Sequence, residues 1–179
     1  MRTRLSRIGL LLGSNIEPEV YLPLALKELG GFFTVLAVSN AWQTPSAGAE
    51  GPDFINAAVL IHAAQEPHFI KEQVLRPIES RLGRIRGRDK FAPRTIDIDL
   101  VSAGDRTIDS NLWRFAHVAV PLAELLPDIA SAETGERLES TARRLLKTTP
   151  MRIRPEVFVQ SSAPGKLLDA IKPLELRTQ

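Results

Sequence analysis

Cysteine is absent from the 179 residues. That excludes disulfides and thiolate-held zinc, leaves no thiol redox chemistry, and agrees with an intracellular, cytoplasmic setting. A long apolar run is missing as well: no stretch approaches the ~20 residues that a bilayer crossing needs. The run Ile8-Gly9-Leu10-Leu11-Leu12 comes after Arg2, Arg4 and Arg7 but ends at Gly13-Ser14-Asn15, too short for a secretory signal. Nor is there a large excess of one charge; the formal net charge is +2, so bulk electrostatics do not demand nucleic acid. Repeats and low-complexity tracts are lacking too. What is present is an ordinary globular composition, 44% apolar and 25% charged, in a length that suits one catalytic domain.

Periodicity supplies the elements. Residues 8–12 read as a buried strand and Gly13-Ser14-Asn15 as the turn into a helix over 20–29, stopped by Gly30-Gly31, with Pro23 tolerable in a first helical turn. Residues 35–42 and 54–62 read as strands separated by a loop with Pro45 and Pro52 near its ends, long enough to shape a pocket. Apolar residues recur at helical spacing over 68–82, where Pro77 predicts a break near Gln73. Next come a strand over 95–101, a short helix over 121–126 and an amphipathic helix over 138–147. The order β-α-β-β-α-β predicts an α+β, ferredoxin-like sandwich with helices packed on a mainly antiparallel sheet. We read 1–147 as the catalytic domain and 148–179 as a proline-interrupted extension that packs on the domain or on a partner, with a strand at 157–160 and a helix at 166–171.

The most informative stretch runs from residue 84 to 100. Arg84, Arg86, Arg88, Lys90 and Arg94 bring five cations ahead of Thr95-Ile96-Asp97-Ile98-Asp99-Leu100. In a strand, Asp97 and Asp99 share one face while Ile96, Ile98 and Leu100 face the other and can enter a core. Two carboxylates on one face suit magnesium, which takes oxygen ligands and is commonly held by one or two carboxylates with phosphate oxygens. Arginine forks suit phosphate. Either half alone also describes a solvated surface. Together they point to metal-bound polyphosphate, because aiming a basic loop at a carboxylate pair makes sense when a polyanion and cations lie between them.

In order along the chain, the motifs Gly13-Ser14-Asn15, Thr44-Pro45, Asp53-Phe54-Ile55-Asn56-Ala57-Ala58, Ile78-Glu79, Leu82-Gly83-Arg84-Ile85-Arg86, Pro93-Arg94-Thr95-Ile96-Asp97-Ile98-Asp99, Val120-Pro121-Leu122-Ala123-Glu124-Leu125 and Thr134-Gly135 resemble the 6-hydroxymethyl-7,8-dihydropterin pyrophosphokinase family of the folate pathway. The resemblance spans roughly 7–147. It implies a cytoplasmic transferase, a monomer or weak homodimer, that moves a pyrophosphoryl group from ATP to the pterin's hydroxymethyl oxygen and releases AMP. Asp97 and Asp99 would bind two magnesium ions, with a second role as proton acceptor open for Asp97. Arg84 and Arg94, helped by Arg86, would hold phosphate, while Glu79 and Ile98 would lie by the nucleotide. Lys90 and Phe91 would close over nucleotide and pterin. Thr44, Pro45 and Asn56 would line the pterin site, with Phe54 where the family has a tyrosine.

Before the Val-Pro-Leu helix the match departs from the family. Residues 109–120 read Asp-Ser-Asn-Leu-Trp-Arg-Phe-Ala-His-Val-Ala-Val, several residues short of the family loop and without its Pro-His pair. Counting back from Pro121, His117 takes the place of the phenylalanine that stacks on the pterin and Phe115 that of an arginine. An imidazole there can stack on or hydrogen-bond the heterocycle, or it is a surface histidine. Ala47, Ala92 and Pro77 are milder departures. Three further readings stand beside the pyrophosphokinase: a related enzyme for a modified, methanopterin-type pterin; a non-catalytic nucleotide- or pterin-binding homologue; and a ferredoxin-like nucleic-acid binder. The last lacks exposed aromatic pairs on adjacent strands, and its acidic strand would repel phosphate.

Overall fold

The computed structural model describes residues 6–45, 51–86 and 92–159. The elements that carry the architecture are β1 (Ser6–Ser14), α1 (Pro18–Phe32), β2 (Thr34–Val38), β3 (Trp42–Thr44) and β4 (Phe54–Ala63). After these come α2 (Pro67–Ile70), a π-helical turn (Lys71–Leu75), α3 (Arg76–Arg81), β5 (Asp97–Ala103), β6 (Arg106–Thr107), a 3-10 turn (Ser110–Trp113), α4 (Ala116–Leu125), α5 (Leu138–Leu146), β7 (Arg152–Ile153) and α6 (Glu156–Val159).

One antiparallel sheet runs β6-β5-β1-β4-β3-β7, and β2 also pairs β4. Counting β2 and β3 as one interrupted strand, the ferredoxin-like core expected from the sequence is present. Its two central strands read as apolar runs because both faces are covered. On one face Ile8, Leu10, Leu12, Ile98 and Leu100 pack with Leu22 and Leu29 of α1, with Leu75 and Ile78, and with Val157. On the other face Leu11, Ala58, Leu60 and Val101 pack beneath α4 and α5 through Val118, Leu122 and Leu138. The second layer makes the molecule three-layered.

Several expectations shift in detail. The strand predicted over 35–42 breaks at residues 39–41, where the N–H of Asn40 donates to Glu124 Oε2 at 2.8 Å instead of joining a ladder. Pro18 takes the first helical position of α1 and Pro23 lies a turn deeper. The break expected near Gln73 is the π-helical turn, where the N–H of Arg76 reaches Lys71 O, just before the proline that has no N–H to give. α4 begins at Ala116, five residues before the predicted start, and keeps Pro121 inside it. The segment read as a strand at 157–160 is helical over Glu156–Val159 and buries Val157 completely; its alternating Val-Phe-Val looks like a strand, but Pro155 favours a helix start. The two-residue strand β7 comes earlier and pairs β3. The helix read at 166–171 lies outside the described residues.

Candidate active site

Antiparallel pairing brings the ends of four strands together. Gly13, near the end of β1, stands opposite Asn56 of β4 on one side and Asp97 of β5 on the other. Trp42 of β3 lies opposite Asn56, and Thr44 opposite Phe54. By strand alternation, Thr44, Phe54, Asn56, Gly13, Asp97 and Asp99 share the face that carries α4, since Ile98 and Leu100 fill the opposite core. With strands about 4.8 Å apart, Asp97 and Asn56 stand roughly 10 Å from each other across Gly13, about the length of a bicyclic heterocycle with a one-carbon arm. The approach at Gly13 is close: a Cβ would fall 2.9 Å from Asn56 Oδ1, so a larger residue would push the Asn56 amide aside. The Asn56 amide in turn donates to Thr44 Oγ1 at 3.3 Å, and both residues are buried.

The cations come from two connections. Gly83, with φ of 82°, ends α3 in the left-handed region that glycine tolerates. This turns Arg84 back toward β5, where its Nη2 lies 3.6 Å from Asp97 Oδ1. Arg94 approaches from the other side, its Nη1 2.6 Å from Asp97 Oδ2 and its guanidinium 5.4 Å from the centre of the Phe54 ring. The Arg94 N–H donates to Asn15 Oδ1 at 2.7 Å. Its carbonyl accepts the N–H groups of Asn15 and Ile16 at 3.2 and 3.3 Å. Gly13-Ser14-Asn15 is thus a strap on Arg94, a function its sequence does not announce.

Glu79 is 2% exposed and spends its carboxylate inside the protein. It accepts the Ile98 N–H at 2.8 Å and a hydrogen bond from Arg86. Burial pushes its pKa up, against the hydrogen bond from Ile98 and the charge of Arg86. Glu79 therefore fixes β5 and aims Arg86, which is half exposed. Lys90 and Phe91 lie outside the described residues.

The two aspartates differ. Asp97 has two arginine partners, whereas among the described residues no ion pair or side-chain hydrogen bond reaches the Asp99 carboxylate. Burial first, then repulsion from Asp97 and Asp109, pushes the Asp99 pKa up to about 6. A desolvated carboxylate beside another carboxylate is a pair whose electrostatic conflict a hard divalent cation relieves. Among the described residues no cluster of three or more such ligands forms, so an ion held by these two carboxylates would need further oxygens from water or substrate.

His117 is in the first turn of α4, its ring stacked on Phe115 with centroids 5.6 Å apart. Burial holds its pKa below the usual value, with the Asp109 charge opposing. Asp109 bears on Asp99 as well, so His117 belongs to the carboxylate side. Among the described residues no ring contact or hydrogen bond joins it to Thr44, Phe54 or Asn56.

Glu124 was legible only as part of a motif. It is buried on α4, accepting from the Asn40 N–H, from Asn40 Nδ2 at 3.2 Å and from Trp42 Nε1 at 2.7 Å. It thereby anchors the start of β3, two residues before Thr44.

Residues 9–127 match the profile of the 7,8-dihydro-6-hydroxymethylpterin-pyrophosphokinase family. A protein of Methylorubrum extorquens named 2-amino-4-hydroxy-6-hydroxymethyldihydropteridine pyrophosphokinase is 37% identical over 153 residues, 79% of this chain and 94% of that one. A protein of the same name from Synechocystis is 33% identical over 138 residues, covering 71% and 70%. In fold, the wild-type HPPK-DHPS of Plasmodium falciparum, crystallised with pteroate, superposes with a TM-score of 0.65 at 10% identity, over 80% of this chain and 43% of that one.

Proposed function

The chain belongs to the 7,8-dihydro-6-hydroxymethylpterin-pyrophosphokinase family, and on that premise we propose how its residues divide the work. The activity is transfer of a pyrophosphoryl group from ATP to the hydroxymethyl oxygen of 6-hydroxymethyl-7,8-dihydropterin, a step of folate synthesis. The alcohol oxygen bonds to the β-phosphorus, the bond from that phosphorus to the α–β bridging oxygen breaks, and AMP leaves with the bridging oxygen while the alcohol gives up its proton.

The row Asp97–Gly13–Asn56 carries the assignment of roles. Asn56 and Thr44 form the polar floor for the pterin's heteroatom edge, with Phe54 and Pro45 beside it as apolar wall. The row's length then sets the hydroxymethyl arm toward Asp97 and Asp99. Arg84 and Arg94 flank the same carboxylate, so a polyphosphate lying between them meets two guanidinium forks. Arg86, aimed by Glu79, extends that basic wall toward the nucleotide, along the edge of β5 at Ile98. Asp97 and Asp99 hold magnesium, two ions in our reading; bound there, the metal supplies positive charge against the phosphate oxygens as charge redistributes in the transition state. The chain's own contribution is positioning: two substrates oriented on one rigid sheet face need little further reorganisation to react.

Product analysis tests this directly. Purified protein, magnesium, ATP and 6-hydroxymethyl-7,8-dihydropterin should yield AMP and pterin pyrophosphate in equal amounts. Release of ADP, or no AMP with this acceptor, would overturn the reading.

A further inference from the structure

The segment after α5 lies beyond the residues that match the family profile, 9–127, yet it is built into the sheet. β7 pairs β3 with Ile153 opposite Trp42 and Arg152 opposite Gln43. The Arg154 N–H donates to Ala41 O at 2.8 Å. Val157 is fully buried in the core under α1, and Phe158 packs against it. Arg154 is therefore held at both ends, by a strand before it and a buried helix after it.

Its side chain, 23% exposed, joins three elements. Nη1 donates to Gln43 Oε1 on β3 at 2.7 Å and Nη2 to Glu19 Oε1 in the first turn of α1 at 2.9 Å, while Nε donates to Glu156 of α6. The Gln43 carbonyl also accepts from Arg152 Nε at 2.9 Å, and its amide NH2 donates to Asp53 Oδ2 at 2.6 Å. An amide whose oxygen is polarised by two cations is a better donor at its nitrogen, here to a carboxylate. Asp53 immediately precedes Phe54, and Gln43 immediately precedes Thr44. At the same end of the connection, one residue before Asp53, Pro52 O accepts from Asn15 Nδ2 at 3.4 Å. The chain Arg154–Gln43–Asp53 thus ties together the two ends of the β3–β4 connection, and the Arg154–Glu19 pair ties them to the helix just after the Asn15 strap.

An isolated exposed ion pair contributes little stability. The value of this arrangement is geometric, because each acceptor sits on a different element and one guanidinium fixes their separation. We propose that Arg154 is a positioning residue for the acceptor: acting through Gln43, it sets Thr44 and Phe54 in register with Asn56, so that the segment after α5 belongs to the acceptor-binding unit. This rests on the pyrophosphokinase reading. Among the described residues the ion pairs of the arginines assigned to phosphate go to Asp97 and Glu79, not to Glu19 or Glu156, so the effect should fall on the pterin and spare ATP.

Arg154→Ala and Gln43→Ala should each raise the pterin KM about tenfold, with kcat at saturation and the ATP KM within about twofold of wild type. The double variant should be no worse than either single one, since the two residues act in series. Arg154→Lys, which keeps the charge but reaches fewer acceptors, should recover part of the loss. Arg144→Ala, which removes a surface arginine paired with Glu136, should leave all constants unchanged. Unaltered pterin KM, equal rises in both substrates' KM, or additive losses would overturn the proposal. Hydrogen exchange separates it from the parent reading. Amides of residues 53–56 should exchange faster in Arg154→Ala while those of α5 do not, and unchanged exchange there overturns the proposal whether or not wild type releases AMP. A wild type that makes no AMP but shows the exchange effect overturns only the parent reading.

Discussion

Asn15 and Arg94 hold each other's backbones. The Arg94 N–H donates to Asn15 Oδ1 at 2.7 Å and the Asn15 N–H donates back to Arg94 O at 3.2 Å. Arg94 can meet both Asp97 and Phe54 only while its backbone stays there. Asn15→Ala removes the acceptor from a half-buried N–H, which should cost about 1–2 kcal/mol of stability and lower kcat/KM by about 10–100-fold through misplacement of the guanidinium. Asn15→Asp keeps the acceptor and loses the donor to Pro52 O, so it should fall between. Denaturant melts beside steady-state kinetics decide the matter; lost stability with intact kcat/KM would make the strap purely structural.

The two aspartates should respond to neutralisation with opposite signs in stability. Both Asp97→Asn and Asp99→Asn should abolish AMP formation if, as we propose, each carboxylate holds metal. Without nucleotide or metal, Asp99→Asn should be more stable than wild type, because it removes a desolvated and repelled charge. Asp97→Asn should be less stable, because it removes the carboxylate charge that pairs with Arg84 and Arg94. The pH dependence comes from the raised pKa of Asp99, from 3.8 to about 6. Between those values the native state binds more protons than the unfolded one, so wild-type stability falls as pH rises through the window. The advantage of Asp99→Asn should grow to roughly 2–3 kcal/mol above pH 6 and shrink toward zero near pH 4. Melting curves in chelator across that range check both signs.

His117 titrates the other way. Burial lowers its pKa from 6.5, so the unfolded state binds more protons just below that value, and stability rises with pH until it is complete above 6.5. His117→Phe should erase that slope, gaining on wild type as pH falls below 6.5. Should His117 also touch the acceptor, His117→Ala raises the pterin KM and leaves the ATP KM alone. An unchanged pterin KM would leave it a half-buried histidine of α4 and nothing more.

Glu124→Ala leaves the Asn40 N–H and the Trp42 indole N–H buried without an acceptor, and should cost about 2–5 kcal/mol. Glu124→Gln puts an NH2 against one of those donors and should restore only part. If the Ala variant melts with wild type, water has replaced the carboxylate and the anchor at the start of β3 is dispensable.

How legible this molecule was depends on how far apart the interacting residues lie. That Asp97 and Asp99 share one face of a strand could be read because a strand's period of two is a local fact. The distortion before Pro77 could be read because a missing N–H is a local fact. The break at residues 39–41 could not, since its cause is Glu124. The Asn15 strap on Arg94 was hidden the same way: small polar residues start most such turns, and only the fold shows that this one reaches across. Arg152 and Ile153 are too short a strand to carry a pattern, and the contact of Arg154 with Gln43 spans most of the chain. Val157 and Phe158 were misread because alternation with β-branched residues speaks for a strand, while burial of Val157 under α1 selected the helix.

Truncation after Lys147 tests whether the chain can do without the segment beyond α5. The cut removes β7, exposing the outer edge of β3, and removes Val157 from a fully buried position. Burial of one valine is worth about 1.5–3 kcal/mol, and an uncovered edge strand invites pairing with another chain. The shortened protein should therefore lose about 3–5 kcal/mol and tend to self-associate. Val157→Ala in the full chain, with β7 left in place, should account for about 1–3 kcal/mol of that loss and leave the sheet edge covered. Denaturant midpoints and sedimentation of the two variants separate the contributions. A fragment 1–147 as stable, monomeric and active as the whole chain would show that β7 and α6 rest on the domain without supporting it.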